Sequence, residues 1–310
     1  MKAQKDKNTY LLQIMITIEV SIMGWLESIQ KAIHYIEMNL LDNELTIESI
    51  ARAANSSVFH FQRTFSILTD ITVSDYIRRR RLTLAAQELI NTDQKIIDIA
   101  FKYGYETPES FTKAFRKQHR ISPSEARKKK GTLQSYNRLV IKIQLEGAVP
   151  MNYRIIEKEA FQIVGVKRTY NYENGENTQN IPQFWNDVHK DGTNDRLFEL
   201  NNGEVKGILG VCSIEKYKQD EKLMDYWIAT AYNGEVPEGF ETYEVPSSKW
   251  AIFEVHGPMP HAMQDTWKKI YSEWFPSNPY EQAGTTELEV YSDDDPNDPN
   301  CYSEIWIPIK

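Results

Sequence analysis

Residues 95–115 read KIIDIAFKYGYETPESFTKAF, and residues 46–65 read TIESIARAANSSVFHFQRTF. The two stretches carry one pattern. Ile47, Ile50 and Ala51 match Ile96, Ile99 and Ala100, and Phe61 and Phe65 match Phe111 and Phe115. Asn55 matches Gly104, both residue types that tolerate a positive φ. In the first copy Thr46 is placed to cap a helix with Ile47, Ile50, Ala51 and Ala54 on one face. Asn55-Ser56-Ser57 breaks that helix, and a second begins at about Val58. At about 100° per residue, Phe61, Phe65 and Leu68 form an inner stripe. Phe59, Gln62, Arg63 and Ser66 fall on the outer face. In the second copy Glu109, Thr112, Lys113 and Arg116 take those outer positions, and Pro108 suits the first helical turn.

A Phe-x-x-x-Phe stripe by itself is ordinary core. Two copies with matching turns and polar outer faces are helix-turn-helix spacing, whose second helix enters the major groove of DNA. Val73–Asn91 reads as one connecting helix of roughly 25 Å, which with the helix widths suits two reading helices about 34 Å apart, one DNA turn. Gln62 can pair with adenine, and Arg63 with guanine or a phosphate. Ser110 and Thr112 can reach base edges or phosphates, and His60 is counted with the DNA-binding residues. Lys113, Arg116 and one or more of Arg78–Arg81 suit phosphates. Glu109 can only accept, so it favours cytosine or repels the backbone.

Charge agrees with this division. The whole chain carries −8, yet residues 21–131 hold 17 Lys/Arg against 13 Asp/Glu, whereas residues 132–310 hold 16 against 29. Only the first part suits a polyanion. Cys212 and Cys301 form no disulfide framework, and the six histidines show no metal-ligand spacing. The sequence implies no cofactor, metal site or catalytic residue. Tyr10–Met23 is apolar behind a Lys-rich start, but it contains Glu19 and is too short to span a bilayer. Residues 1–22 are expected to be an extension outside the fold.

Residues 24–130 resemble the DNA-binding domain of the AraC/XylS family of bacterial transcription regulators. The resemblance rests on IIDIAFKYGYETPESFTKAFRKQHRISPSEAR and on His60-Phe61-Gln62-Arg63-Thr64-Phe65. It implies seven helices, with two recognition helices in successive major-groove segments, and a cytoplasmic, nucleoid-associated activator. The implied partners are double-stranded promoter DNA, a small-molecule effector and RNA polymerase, with no membrane. In that family the position of Phe59 is often Trp, and that of Glu109 often Gln.

The rest of the chain has a different texture. Lys128-Lys129-Lys130-Gly131 closes the basic part, and 132–150 is a link with a short strand expected at Leu139–Leu145. Strands are expected at Phe161–Tyr170, Lys206–Ile214, Met224–Tyr232, Trp250–His256, Glu287–Tyr291 and Tyr302–Ile309, with helices near Pro182–His189 and Met259–Trp274. The expected architecture is therefore multidomain: an all-α double helix-turn-helix domain (23–131), then an α+β domain (151–310) of two β-α-β-β modules. With helices on one sheet face, alternation assigns Leu288 and Val290 to the covered core. It leaves Glu287, Glu289 and Tyr291, with Tyr302, Glu304 and Trp306, on an open face.

Aromatic walls around a carboxylate suit a lipophilic cation or amine. This half resembles the GyrI-like effector-binding domain, on FEVHGPM (253–259), WKKIYSEWFPSN (267–278), ELEVY (287–291) and EIWIPIK (304–310). The resemblance implies a groove ligand, with Glu289 as its counter-charge and Glu304, Tyr226, Trp185, Tyr291 and Trp306 around it. The alternatives are a hydrolase using Glu289 with Tyr226 or Tyr291, and a protein-docking groove. The acidic run from Asp293 mimics a calcium loop, but Asp298 stands where Gly belongs, so it reads as a solvated turn.

Overall fold

The computed structural model describes residues 27–42, 44–141, 150–172, 176–213, 222–284 and 286–310. The expected extension at 1–22 and the 142–145 part of the expected strand lie outside them. The chain divides into two compact units, a helical one at Leu26–Leu145 and a sheet unit over Glu146–Lys310.

The helical unit contains α1 (27–38), α2 (Ile47–Ala53), α3 (Val58–Thr69), α4 (Val73–Asn91), α5 (Ile96–Lys102), α6 (Pro108–His119) and α7 (Pro123–Arg127). The sequence echo becomes a structural one. Asn55 and Gly104 both turn at positive φ, 51° and 80°. Ser57 caps α3 and Thr107 caps α6, each accepting from a backbone N–H three residues on. Asp70 and Arg120 close those helices in the left-handed region. The match continues one helix further, since Thr72 caps α4 as Ser122 caps α7. Phe61 and Phe65 are buried beside Tyr76, and Phe111 and Phe115 beside Tyr105 and His119. Gly104 has a second reason to be glycine: a Cβ there would lie 2.7 Å from the Arg81 guanidinium.

The arginine run divides: Arg80 and Arg81 are engaged inside the unit, while Arg78 and Arg79 stay partly exposed. Arg80 forms a two-pronged ion pair with Glu37 of α1, at 2.8 and 2.7 Å, and the Tyr76 hydroxyl donates to the same carboxylate at 2.6 Å. Arg81 donates to the carbonyls of Leu40 and Asp42. Arg78 and Arg79 pair with Asp75 one turn away. Through the fixed geometry of their guanidinium donors, Arg80 and Arg81 tie α1 and the turn after it to α4. Residues 139–141 form no strand. Instead, 133–139 runs along the helices.

The sheet unit is one eight-stranded antiparallel sheet: β1 (Tyr153–Lys158), β2 (Phe161–Asn171), β3 (Ile208–Ser213), β4 (Leu223–Ala231), β5 (Glu241–Val245), β6 (Ser248–His256), β7 (Glu287–Tyr291) and β8 (Tyr302–Ile309). The six expected strands are present, and β1 and β5 are additional. The spatial order β1-β6-β8-β7-β3-β4-β2-β5 reads the same from either end once module one is exchanged for module two. Each leading strand crosses over: β1 pairs with β6, and β5 with β2. Helices α8 (Glu176–Lys190) and α9 (Thr193–Leu200) follow β2. Helix α10 (His261–Lys269) follows β6 and runs on through a π turn at Ile270–Trp274. The second sheet face is filled, not open. Trp227, Trp250 and Trp306 pack there with Leu209, Val211, Leu288 and Val290, all buried.

The ion pair at α1 sets one measurable property. Burial alone would raise the Glu37 carboxyl, but hydrogen bonds from Arg80 and Tyr76 outweigh it and hold the group below its ordinary value. A depressed carboxylate stabilises the fold above the unfolded value of about 4.3, and the contribution is lost as pH falls through the folded value. Glu37→Gln is therefore expected to destabilise the helical unit by about 3 kcal/mol at pH 7. The gap to wild type should close on acidification in denaturant titrations. A gap independent of pH would contradict this account.

Candidate DNA-reading face and ligand groove

In the helical unit the outer faces of α3 and α6 are presented differently. Glu109, Ser110, Lys113 and Arg116 are exposed, and Thr112 is half-buried. Phe59, His60, Arg63 and Ser66 are only half-buried, and Gln62 is buried at 6% exposure. Gln62 thus departs from the outward position expected of it. It stands about 90° from the centre of the phenylalanine stripe, on the shoulder of the helix, where packing decides the outcome. Position 112, its counterpart on α6, carries the smaller Thr.

In the sheet unit the register decides which side chains meet. Glu289 lies opposite Gly210 on β3 and Ile305 on β8, while Leu288 lies opposite Trp306. Paired residues share a face, so Glu289 is on the helix side and Trp306 is on the other. The expected face assignment is thus reversed for β7. Alternation within a strand says which residues go together, and only pairing says which way they point.

On the helix side, Glu289, Tyr291, Tyr226 and Trp185 come together, as expected of them. Trp267 of α10 donates its indole N–H to Glu289 Oε1 at 2.7 Å, and the Tyr291 hydroxyl donates to Oε2 at 2.9 Å. Trp185 of α8 donates to the Tyr226 hydroxyl at 3.0 Å, and its ring meets Tyr291 edge-on, with centroids 5.1 Å apart. Both oxygens of Glu289 are held by neutral donors, and among the described residues no Lys or Arg pairs with it. Burial, followed by the Glu289 charge beside it, pushes the Tyr291 phenol well up, so it stays a neutral donor. Trp267 and Gly210 join the site without having been expected there. A Cβ on Gly210 would meet the Tyr226 hydroxyl at 2.5 Å and Glu289 Oε2 at 3.3 Å. The available signal is a glycine inside an otherwise apolar strand, a mark of close approach.

Glu304 and Trp306 do not join this group. On the opposite face Glu304 is buried, accepting from Arg154 at 2.8 Å, from Trp306 at 2.7 Å and from the Tyr302 hydroxyl. Burial and that hydrogen bond push the Tyr302 phenol up to about 12. Arg154 neutralises Glu304, so this carboxylate serves the fold. Among the described residues no helix is long and apolar enough to cross a membrane.

Residues 151–310 match the family described as GyrI-like small molecule binding domain, half of the chain, and residues 50–129 match a helix-turn-helix domain. The regulatory protein SoxS of Escherichia coli K12 is 40% identical over 99 residues, which are 32% of this chain and 92% of SoxS. The uncharacterized HTH-type transcriptional regulator YbfP of Bacillus subtilis 168 is 39% identical over 105 residues, 34% of this chain but only 35% of YbfP. A solved structure of SAV2435 bound to tetraphenylphosphonium is 27% identical, covers 52% of this chain and 94% of its own, and has a TM-score of 0.47. A helix-turn-helix region matched over nearly the whole of SoxS thus precedes a GyrI-like half, and the chain belongs to the AraC-type transcription regulators that carry a GyrI-like small-molecule-binding domain.

Proposed function

We propose that this chain is a cytoplasmic regulator that reads promoter DNA with α3 and α6 and senses a lipophilic cation in the groove between α8 and α10. The observation that carries the ligand class is the Glu289 carboxylate. It is held in place by Trp267 and Tyr291, carries no counter-ion from the described residues, and is flanked by aromatic rings. An uncompensated carboxylate in aromatic surroundings favours an organic cation through charge and cation–π attraction. The same hydrogen bonds argue for binding over hydrolysis, since both Glu289 oxygens are engaged and the Tyr291 phenol stays protonated. RNA polymerase is the partner through which an activator of this kind would act. For the domain division we retain 23–131, 132–150 and 151–310, with the first part of the link held by the helical unit.

On the DNA side, exposed Lys113 and Arg116 suit phosphates, and half-buried Arg63 suits a base edge or phosphate. On a duplex selected from random DNA by the full chain, Lys113→Ala should reduce the salt slope of binding by about 1, similarly for all sequences. Arg63→Ala should cost about 1–3 kcal/mol and relax sequence preference. Anisotropy titrations across salt concentrations measure both. An Arg63→Ala protein with undiminished affinity and preference would remove α3 from the reading role.

For the groove, calorimetric titration with tetraphenylphosphonium is the direct test. Glu289→Gln keeps the shape and removes the charge, so affinity should fall at least about tenfold, or about 1.4 kcal/mol. Gly210→Ala should displace the Tyr226 hydroxyl and also weaken the ligand, with DNA affinity unchanged. Full affinity in Glu289→Gln would refute the charge pairing.

A further inference from the structure

Residues 133–139 lie beyond the matched helix-turn-helix region, yet they are fastened to it along their length. Leu133 packs on the core of the second repeat, formed by Phe111, Phe115, Leu82 and Ala126. Gln134 donates its backbone N–H to His119 Nδ1 at 3.2 Å, at the end of α6. Tyr136 donates its N–H to Thr83 Oγ1 at 3.1 Å, and its carbonyl accepts from Arg80 at 2.6 Å. Its ring lies 4.9 Å beneath the Arg79 guanidinium. Leu139 donates its N–H to the Tyr76 hydroxyl at 3.1 Å. Tyr76 in turn packs on Phe65 in the core of the first repeat.

The segment is thus an extended strap from the core of the second repeat to that of the first. It crosses α4 at the Glu37–Arg80 pair. Its polar groups add to that network a carbonyl for the third Arg80 nitrogen and an N–H for the Tyr76 oxygen. Without the strap, buried Tyr76 and half-buried Arg80 each lose a partner.

We propose that residues 133–139 are a positioning element of the DNA-reading unit, with Tyr136 at its centre. The strap holds α3 and α6 at the separation that lets both enter successive major-groove segments. This rests on the DNA-reading function, so the test has one arm with DNA and one without. Spin labels on Ser66→Cys and Lys113→Cys, with Cys212 and Cys301 replaced by Ala in the full chain, report the α3–α6 separation by electron–electron double resonance. Leu133→Ala/Tyr136→Ala should broaden a distribution that is narrow in the parent.

In the DNA arm, affinity is compared for the selected duplex and for the same duplex with one base pair inserted between the two half-segments. The parent should discriminate strongly between them. The strap variant should lose about tenfold on the first duplex and little on the second, so that discrimination collapses. Simple destabilisation would lower both alike. If the double variant does not fold, Thr83→Val, which removes the acceptor for Tyr136, takes its place. An unchanged distance distribution, or unchanged discrimination, overturns the proposal. If the distribution broadens in the strap variant but the parent binds no DNA, the strap's positioning role stands and the DNA-reading function falls.

Discussion

Glu289 stands across from Gly210 in the β3–β7 pair, and this register is the constraint from which the sheet unit follows. It joins the two modules, because β3 and β7 are the innermost strand of each. It sends Glu289 toward the helices, where Trp267 and Tyr291 can hold it, and sends Leu288 and Val290 into the tryptophan-rich layer. A slip of one residue would place a carboxylate among Trp227, Trp250 and Trp306 and an aliphatic chain in the groove. Such a slip exchanges every side chain between the faces, so burial on both sides fixes the register strongly.

The helical unit was legible in the sequence because its information is local. Helix period, cap residues and the turn residues Asn55 and Gly104 all lie within a dozen positions of the structure they specify. The duplication supplied a second reading of each. What was not legible there was the burial of Gln62, on the shoulder of a helix, and the pairing of Arg80 with Glu37, which lies more than forty residues away. The sheet strands were legible by alternation, while the direction of each face was not. Glu289 and Trp306 alternate correctly within their own strands, yet β7 and β8 meet in a register that puts them on opposite sides. The strap was invisible for a related reason. Residues 133–139 have no helical or strand period, and their contacts are made largely by backbone groups that any residue type would offer.

The two halves solve the burial of charge differently. In the helical unit Glu37 is matched by Arg80 and serves stability. In the sheet unit Glu304 is matched by Arg154, whereas Glu289 is held only by neutral donors. Of these three carboxylates, the one left without a cation is the one surrounded by aromatic rings at the groove. That contrast, more than burial or alternation, is what the proposed ligand role of Glu289 rests on.

The crossed leading strands bear on how the chain is made. β1 emerges from the ribosome about 100 residues before β6, the strand it pairs with. At roughly 5–20 residues per second it waits for about 5 to 20 s with its edge unpaired. The seven helices of the first unit end at Arg127, before β1 begins, and have no such delay. The nascent protein therefore acquires its DNA-reading half first, and its sensing half closes only when the last strands arrive. Neither module can be released by cutting between them, because each would leave its edge strand behind on the other.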